Sequence, residues 1–267
     1  MINKTLLQKR FSENAPTYDQ FAQVQKKMAQ MLTDSIETSP QRILEIGCGT
    51  GYMTERLCRL FPHAEISAVD FAPGMLEVAR KRLQGRQVEF ICGDIEEMKA
   101  FGGPFDLIIS NAAFQWFNQL ENTIHRLFLS LAPGGSMHFS TFGESTFCEL
   151  HTSFKRATQH AGVEAPAPGQ SFFTLIELIA LCQRAVGLIG NGYVNGKEEL
   201  EIETFANVRD FFYSIKKIGA TNSNTTKYSQ RPSLLKNMMR FYEQDFRKDD
   251  QVMATYHCLY VSIQRRG

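Results

Sequence analysis

A short apolar run, Arg42-Ile43-Leu44-Glu45-Ile46, breaks into Gly47-Cys48-Gly49-Thr50-Gly51, and helix-period apolar residues follow at 52–61. Strand, glycine turn and helix in that order form the entry to a parallel α/β unit. Glycines let the main chain approach a ligand closely, and the helix N-terminus offers unpaired N–H groups. A nicotinamide fingerprint, G-x-G-x-x-G, would need glycine at position 52. Tyr52 stands there and Gly51 comes one residue early, so the dinucleotide reading weakens.

The alternation continues. Strands are expected at 65–70, 88–92, 105–110 and 136–142, and helices at 73–83 and 120–131, with Pro133-Gly134-Gly135 as a turn. Such a series implies a parallel sheet covered by helices on both faces. From Glu144 the pattern changes. Helices at 146–161 and 175–186 flank Pro166-Ala167-Pro168-Gly169, where a lid or substrate-side insertion is expected; a strand at 199–204, helices at 208–218 and 234–246, and a last strand at 252–263 complete the chain. The segment Phe11 to Gln25 cannot belong to the sheet and reads as an amphipathic cover. Tyr18 could close over a ligand there, whereas Phe21 and Gln25 read as packing residues.

Composition supports one globular domain with a full core: 267 residues, 43% hydrophobic, 29 Lys+Arg against 28 Asp+Glu. A net charge of +1 gives no global field for nucleic acid, so partners must be recognised locally. Six scattered cysteines form no C-x-x-C pair, which argues against a metal site and for reduced thiols in a cytosol. The apolar stretch at 175–182 is broken by Glu177 and too short to span a bilayer, so a cytoplasmic protein without membrane anchoring is expected.

E-I-G-C-G-T-G at Glu45–Gly51 resembles the first motif of class I S-adenosylmethionine-dependent methyltransferases, whose glycine turn lies beside the methionine part of the cofactor. The resemblance implies a Rossmann-like sheet, mostly parallel with an antiparallel C-terminal strand. It divides one domain into an N-terminal helical cover (1–38), a cofactor-binding core (40–143) and lid or substrate-side elements with the C-terminal strands (144–267). Glu45, Gly47, Cys48, Gly49 and Gly51 would serve the first motif. Asp70, about twenty residues after Gly49, can accept both ribose hydroxyls, with Phe71 and Met75 following it. Asp94 and Ile95 end the third strand where adenine would lie, and an Asx-turn is the plain alternative for Asp94. Asn111, Ala112 and Trp116 end the fourth strand near the transferred methyl group, Trp116 being as consistent with a core aromatic as with a pocket wall.

Further pieces are more specific: F-x-x-x-A-x-x-Y-D with Gln25, D-F-A-P-G-M-L at 70–76, S-N-A-A-F-Q-W at 110–116, F-S-T-F-G-E-S-T-F-C-E-L-H at 139–151, the stretch Ser214 to Thr221, and Thr255-Tyr256-His257. Together they resemble the family of malonyl-acyl carrier protein O-methyltransferases of bacterial biotin synthesis. That implies methylation of a free malonyl carboxylate carried on acyl carrier protein, with S-adenosylmethionine as donor and S-adenosylhomocysteine as product. A carboxylate is already ionised near neutrality, so no catalytic base is expected, and His151 and His257 read as structural. Lys216 and Arg209 are weak candidates for orienting the substrate carboxylate. Lys26-Lys27, Lys216-Lys217 or Arg265-Arg266 could steer an acidic carrier. Methylation of a small free carboxylate or a quinone, and cofactor binding without catalysis, remain open alternatives.

Overall fold

The computed structural model describes residues 1–165, 168–187, 192–220 and 232–267, so Pro166, Ala167 and Thr221 of the stretches above lie outside the described residues. Its sheet runs β3-β2-β1-β4-β5-β8-β6. The strands are β1 (Arg42–Ile46), β2 (Glu65–Asp70), β3 (Val88–Cys92), β4 (Phe105–Asn111), β5 (Leu131–Phe142), β6 (Gly192–Phe205), a short β7 (Arg247–Lys248) and β8 (Gln251–Arg265). Strands β1 to β5 pair in parallel, and β8 enters antiparallel between β5 and β6. This is the Rossmann-like sheet with an antiparallel C-terminal strand. The strand order reverses between β1 and β4, and that switch point is where open α/β sheets bind ligands.

Period-2 alternation sorts the core to two faces. Ile43 of β1 with Cys258 and Tyr260 of β8 packs under α3 (Gln23–Asp34), α4 (Tyr52–Leu60), α7 (Cys148–Ala161), α9 (Val208–Lys217) and α10 (Pro232–Phe246). Leu44, Ile46, Leu259 and Val261 face the other way, against α6 (Leu120–Leu129) and α8 (Leu175–Gly187). Thus α8, in the segment read as a lid or insertion, is a packing helix of the sheet.

Three differences from the sequence expectation have physical reasons. Strand β6 begins at Gly192, well before residue 199, because its glycines are close-packing sites: a Cβ on Gly192 would lie 3.0 Å from Phe128 and Val186, and one on Gly196 2.9 Å from Leu175. Leu131 belongs to β5, not to α6. It pairs with Phe105, and Pro133-Gly134-Gly135 forms the irregularity that shifts the register to Leu107↔Ser136. The helical cover expected at the N-terminus begins before Phe11, with α1 (Lys4–Asn14), capped by Asn3 Oδ1 accepting from Leu6 N at 3.0 Å. Only Leu7 of α1 is buried, so its sequence has little helical apolar pattern to read. A 3-10 turn at Ala15–Thr17 and the short α2 (Tyr18–Phe21) connect it to α3.

Candidate cofactor and acceptor site

The carboxyl ends of β1, β2, β3 and β4 meet under α1 and α2, and the loops leaving them enclose a cavity of about 80 Å³. Gly47 and Gly49 form its floor with φ of +68° and +56°. A Cβ on Gly47 would lie 2.6 Å from Ala113 Cβ, so only glycine fits there. Asp70 draws the turn against β2: Oδ2 accepts from Gly49 N and Oδ1 from Ala72 N, each at 2.8 Å. Burial pushes its carboxyl up to about 6 despite those bonds. Each oxygen keeps a lone pair beyond the bond it makes, which leaves Asp70 able to accept from a ligand in the cavity it lines.

Phe71, Met75, Ile95 and Trp116 give the same cavity an apolar slot. Trp116 is therefore a wall and not a core aromatic. Phe11 meets Tyr18, Phe71 and Trp116 edge-on, with centroid distances of 6.5, 6.1 and 5.8 Å. Asp94 also lines the cavity, but its carboxylate already has partners: Oδ1 accepts from Glu96 N at 3.0 Å in an Asx-turn, and Oδ2 pairs with Lys4 Nζ at 2.9 Å. Lys4 further pairs with Glu96 at 2.7 Å and lies over the rings of Phe71 and Phe117. Asn111 is likewise engaged, Nδ2 donating to Gln25 O (2.9 Å) and Oδ1 accepting from Ser140 Oγ (2.7 Å). Its side chain is thus a brace between β4, β5 and α3 and also lines the cavity, with one amide hydrogen left for a ligand. Ala112 follows at φ +50°, an uncommon conformation for a residue other than glycine.

Glu45, Cys48 and Gly51 stand apart from that cavity. Gly51 faces α5 (Pro73–Arg82), where a Cβ would meet Ala79 at 3.1 Å and Leu83 at 3.0 Å, so it serves packing. Cys48 is buried against Ala68 and Leu76. Glu45 is fully buried; Thr54 is the one hydroxyl beside its carboxylate among the described residues, and no hydrogen bond of good geometry joins the two. Burial pushes its carboxyl up to about 8. With Cys48, Gly47, Gly49, Asn111, Tyr18 and Gln25 it lines a narrow space of about 50 Å³ beneath the glycine turn. A buried carboxylate without partners is costly, and a cation in that space would relieve it.

Tyr18 lines both of these spaces and a third, and burial pushes its hydroxyl well above the usual range, keeping it protonated. The next residue explains its position. Asp19 accepts from Thr50 Oγ1 at 2.7 Å and from Arg82 Nη2, while Arg82 Nη1 reaches Thr50 Oγ1 at 3.3 Å. This triad staples α2 to the glycine turn and to α5. Tyr18-Asp19 and Thr50 stand in the motifs, but nothing in the sequence pairs Arg82 with them.

The third space is a chamber of about 390 Å³, sharing Phe11, Tyr18, Ala112 and Trp116 with the strand-end cavity. Its walls come from distant segments: Phe142 after β5, Phe147 and His151 around α7, Gln170 and Phe172 before α8, Phe212 and Ile215 on α9, and Tyr256 on β8. Lys216 stands exposed at its rim. Arg209 is exposed and does not line it: it shares a helix face with Phe212 and Lys216 but lies two turns nearer the start of α9, away from the chamber. Burial lowers the pKa of His151. His257 lies outside all three spaces, with Nε2 3.0 Å from Glu198 Oε2. Of the basic pairs, Lys27 is tied to Glu201 at 2.7 Å and Arg265 to the carbonyls of Leu129 and Leu131; Lys216 forms no ion pair among the described residues.

Residues 43–135 match the family model described as a methyltransferase domain. The chain is 49% identical to malonyl-acyl carrier protein O-methyltransferase of Priestia megaterium, over 99% of each chain. It is 47% identical to the protein of that name from Bacillus anthracis (100% of this chain, 99% of the other) and 44% identical to that of Acetivibrio thermocellus (100% and 95%). Among solved structures, the YcgJ protein from Bacillus subtilis superposes with a TM-score of 0.61 at 14% identity, over 90% of this chain and 98% of that one. The plantazolicin methyltransferase BpumL, solved with SAH, superposes at 0.51 with 18% identity, over 98% and 94%. At those identities the structural likeness speaks for the fold.

Proposed function

The chain belongs to the malonyl-acyl carrier protein O-methyltransferase family, and from that premise we propose that it transfers a methyl group from S-adenosylmethionine to the free carboxylate of a malonyl thioester on acyl carrier protein. The ester so formed would open pimeloyl assembly for biotin. The observation that carries this reading is the adjacency of two unlike spaces: a polar-floored cavity at the strand ends and a larger, aromatic chamber, joined at Tyr18, Ala112 and Trp116.

The residues fit the donor. Glu45, buried and without a partner, suits an ammonium group; Asp70 keeps acceptor capacity for ribose hydroxyls; Phe71, Ile95 and Trp116 suit the faces of adenine. Cys48 and Gly51 support the turn from behind, and Asp94 would contact adenine only alongside its bond to Lys4. Bound there, the sulfonium supplies an intrinsically activated methyl group.

The protein's share is positioning. No carboxylate lines the chamber among the described residues, which suits an anionic acceptor and disfavours a cationic one. A carboxylic acid with an ordinary pKa is ionised near neutrality, so no base has to act, in keeping with a His151 whose protonation burial disfavours. Aromatic walls exclude water from the nucleophile, and in-line placement supplies the remaining advantage. At the rim, Lys216 and Lys217 would steer an acidic carrier more than hold it.

The test is incubation of the protein with methyl-labelled S-adenosylmethionine and, in parallel, malonyl-, succinyl- and acetyl-carrier protein and free malonate. Base-labile label on malonyl-carrier protein is expected and none on the acetyl form. Label on free malonate in preference to the carrier would favour a small-carboxylate enzyme. Cofactor binding without label on any acceptor would favour a binding-only role.

A further inference from the structure

Most side-chain donors of the chamber are already engaged with a protein partner. Gln115 Nε2 donates to Ala112 O at 2.6 Å and its Oε1 accepts from Thr141; Gln170 Nε2 donates to Gln115 O; the Tyr256 hydroxyl is bonded to Glu203 at 3.1 Å; and Thr146 Oγ1 lies 3.3 Å from His257 O. The Pro168 carbonyl lies beside the His151 ring. Tyr18, Gln25, the Trp116 indole N–H and, at the rim, Lys216 have no partner among the described residues, and of these only Tyr18 and Gln25 also reach the space beside Glu45.

Gln25 is 7% exposed, and its carboxamide forms no hydrogen bond among the described residues. That carboxamide opens onto the chamber and onto the space beside Glu45, where its N–H groups are available to a bound group. Its main chain is fixed: Gln25 O accepts from Asn111 Nδ2 at 2.9 Å, and the flanking Val24 and Met28 lie in the core. Tyr18 and Gln25 are also the two side chains common to the chamber and the space beside Glu45. Gln25 therefore stands where donor and acceptor would meet, whereas Lys216 stands at the rim.

We infer that Gln25 is the residue that grips the acceptor carboxylate, its Nε2 donating to one oxygen while the other attacks. This rests on the methyltransfer reading above. In the step, a bond forms between the free oxygen and the methyl carbon as the carbon–sulfur bond breaks. The bonding pair returns to sulfur, leaving a neutral thioether and a neutral ester, and no proton moves. A neutral amide suits the task because it orients the carboxylate without the charge that would quench its nucleophilicity. The side chain that reads as packing in the sequence is, on this account, a catalytic residue.

Gln25→Leu and Gln25→Glu test this, with S-adenosylhomocysteine binding measured beside turnover of malonyl-carrier protein. For Gln25→Leu, kcat/KM should fall about 10- to 100-fold, the span of a hydrogen bond to a charged group, while S-adenosylhomocysteine affinity falls no more than about 3-fold, since Gln25 only edges the space beside Glu45. Gln25→Glu should be nearly inactive at about pH 8, where its carboxylate faces the substrate's. It should gain activity as pH falls towards 6, where protonation restores a donor, while the unaltered enzyme shows no such rise. Intact cofactor affinity shows that either variant is folded. Gln25→Leu with unchanged kcat/KM, a loss matched by loss of S-adenosylhomocysteine binding, or a Gln25→Glu variant with the ordinary pH profile would each overturn the assignment. Failure of the unaltered protein to methylate malonyl-carrier protein would instead overturn the methyltransfer reading.

Discussion

The floor of the cavity at the strand ends is set by main chain, whereas the chamber next to it is shaped by side chains throughout. In the first, Gly47 and Gly49 hold left-handed turns and Asp70 pulls the loop onto β2, so its shape follows from backbone geometry. In the second, Phe142, Phe172, Phe212 and Tyr256 converge from four separate elements. A backbone-built pocket tolerates little change and suits a ligand that never varies. A side-chain-built chamber can be resized by single substitutions, which suits the half that sets acceptor choice.

Substitution of Gly47 should break this contrast most severely. Gly47→Val forces a branched side chain into a left-handed turn and into Ala113, costing about 3 kcal/mol in urea unfolding and abolishing cofactor binding. Gly49→Ala meets no neighbour, so only the conformational cost of about 1 kcal/mol should appear. Equal losses for the two would mean that the close approach at Gly47 is not what fixes the pocket.

Next in size is Glu45. Its folded carboxyl is raised to about 8 and that of Asp70 to about 6, so the folded protein holds protons there that the unfolded chain releases near pH 4. Their contribution to stability is present at low pH and lost as pH rises through about 6 and then about 8. Without cofactor, the melting temperature should fall between about pH 5 and 8, and Glu45→Gln should flatten the upper part of that slope. The same substitution should weaken S-adenosylmethionine binding on the order of 10-fold by calorimetry, since a charged acceptor is lost. A wild-type-like affinity would remove Glu45 from the donor site.

Changes to the chamber should be smaller and confined to the acceptor. Phe172→Ala should raise KM for malonyl-carrier protein roughly 3- to 10-fold while leaving cofactor affinity intact, as expected for loss of part of an aromatic wall. Parallel losses of both would show the two spaces to be one. Smallest of all, Lys216→Glu should raise that KM a few-fold at low ionic strength, with the effect fading by about 0.5 M salt as rim charges are screened.

The same contrast governs what the sequence could reveal. The strand boundaries of β1, β2 and β3 and the site residues of the strand ends are local: Asp70 and Asn111 end their strands and Gly47, Gly49 and Asp94 follow theirs within a few positions, so spacing alone brings them to one edge. The chamber is not local. His151, Gln170 and Lys216 meet only after α7, α8 and α9 have packed, and no spacing rule connects them. Gln25 and Phe21 look alike on a helical wheel, and only burial separates the unpaired amide from a surface residue. Likewise Arg209 and Lys216 are equivalent cations in the sequence. They lie on one helix face two turns apart, and which end of α9 meets the chamber decides between them.

The central claim is that one space holds the donor and its neighbour the acceptor, and the most direct test is a crystal structure with S-adenosylhomocysteine and a malonyl thioester bound together. The account expects the adenosyl group between Asp70 and Trp116, the amino group at Glu45, and the malonyl carboxylate at Gln25 on the chamber side of Tyr18. A malonyl group outside the chamber, or an adenosyl group within it, would contradict the account.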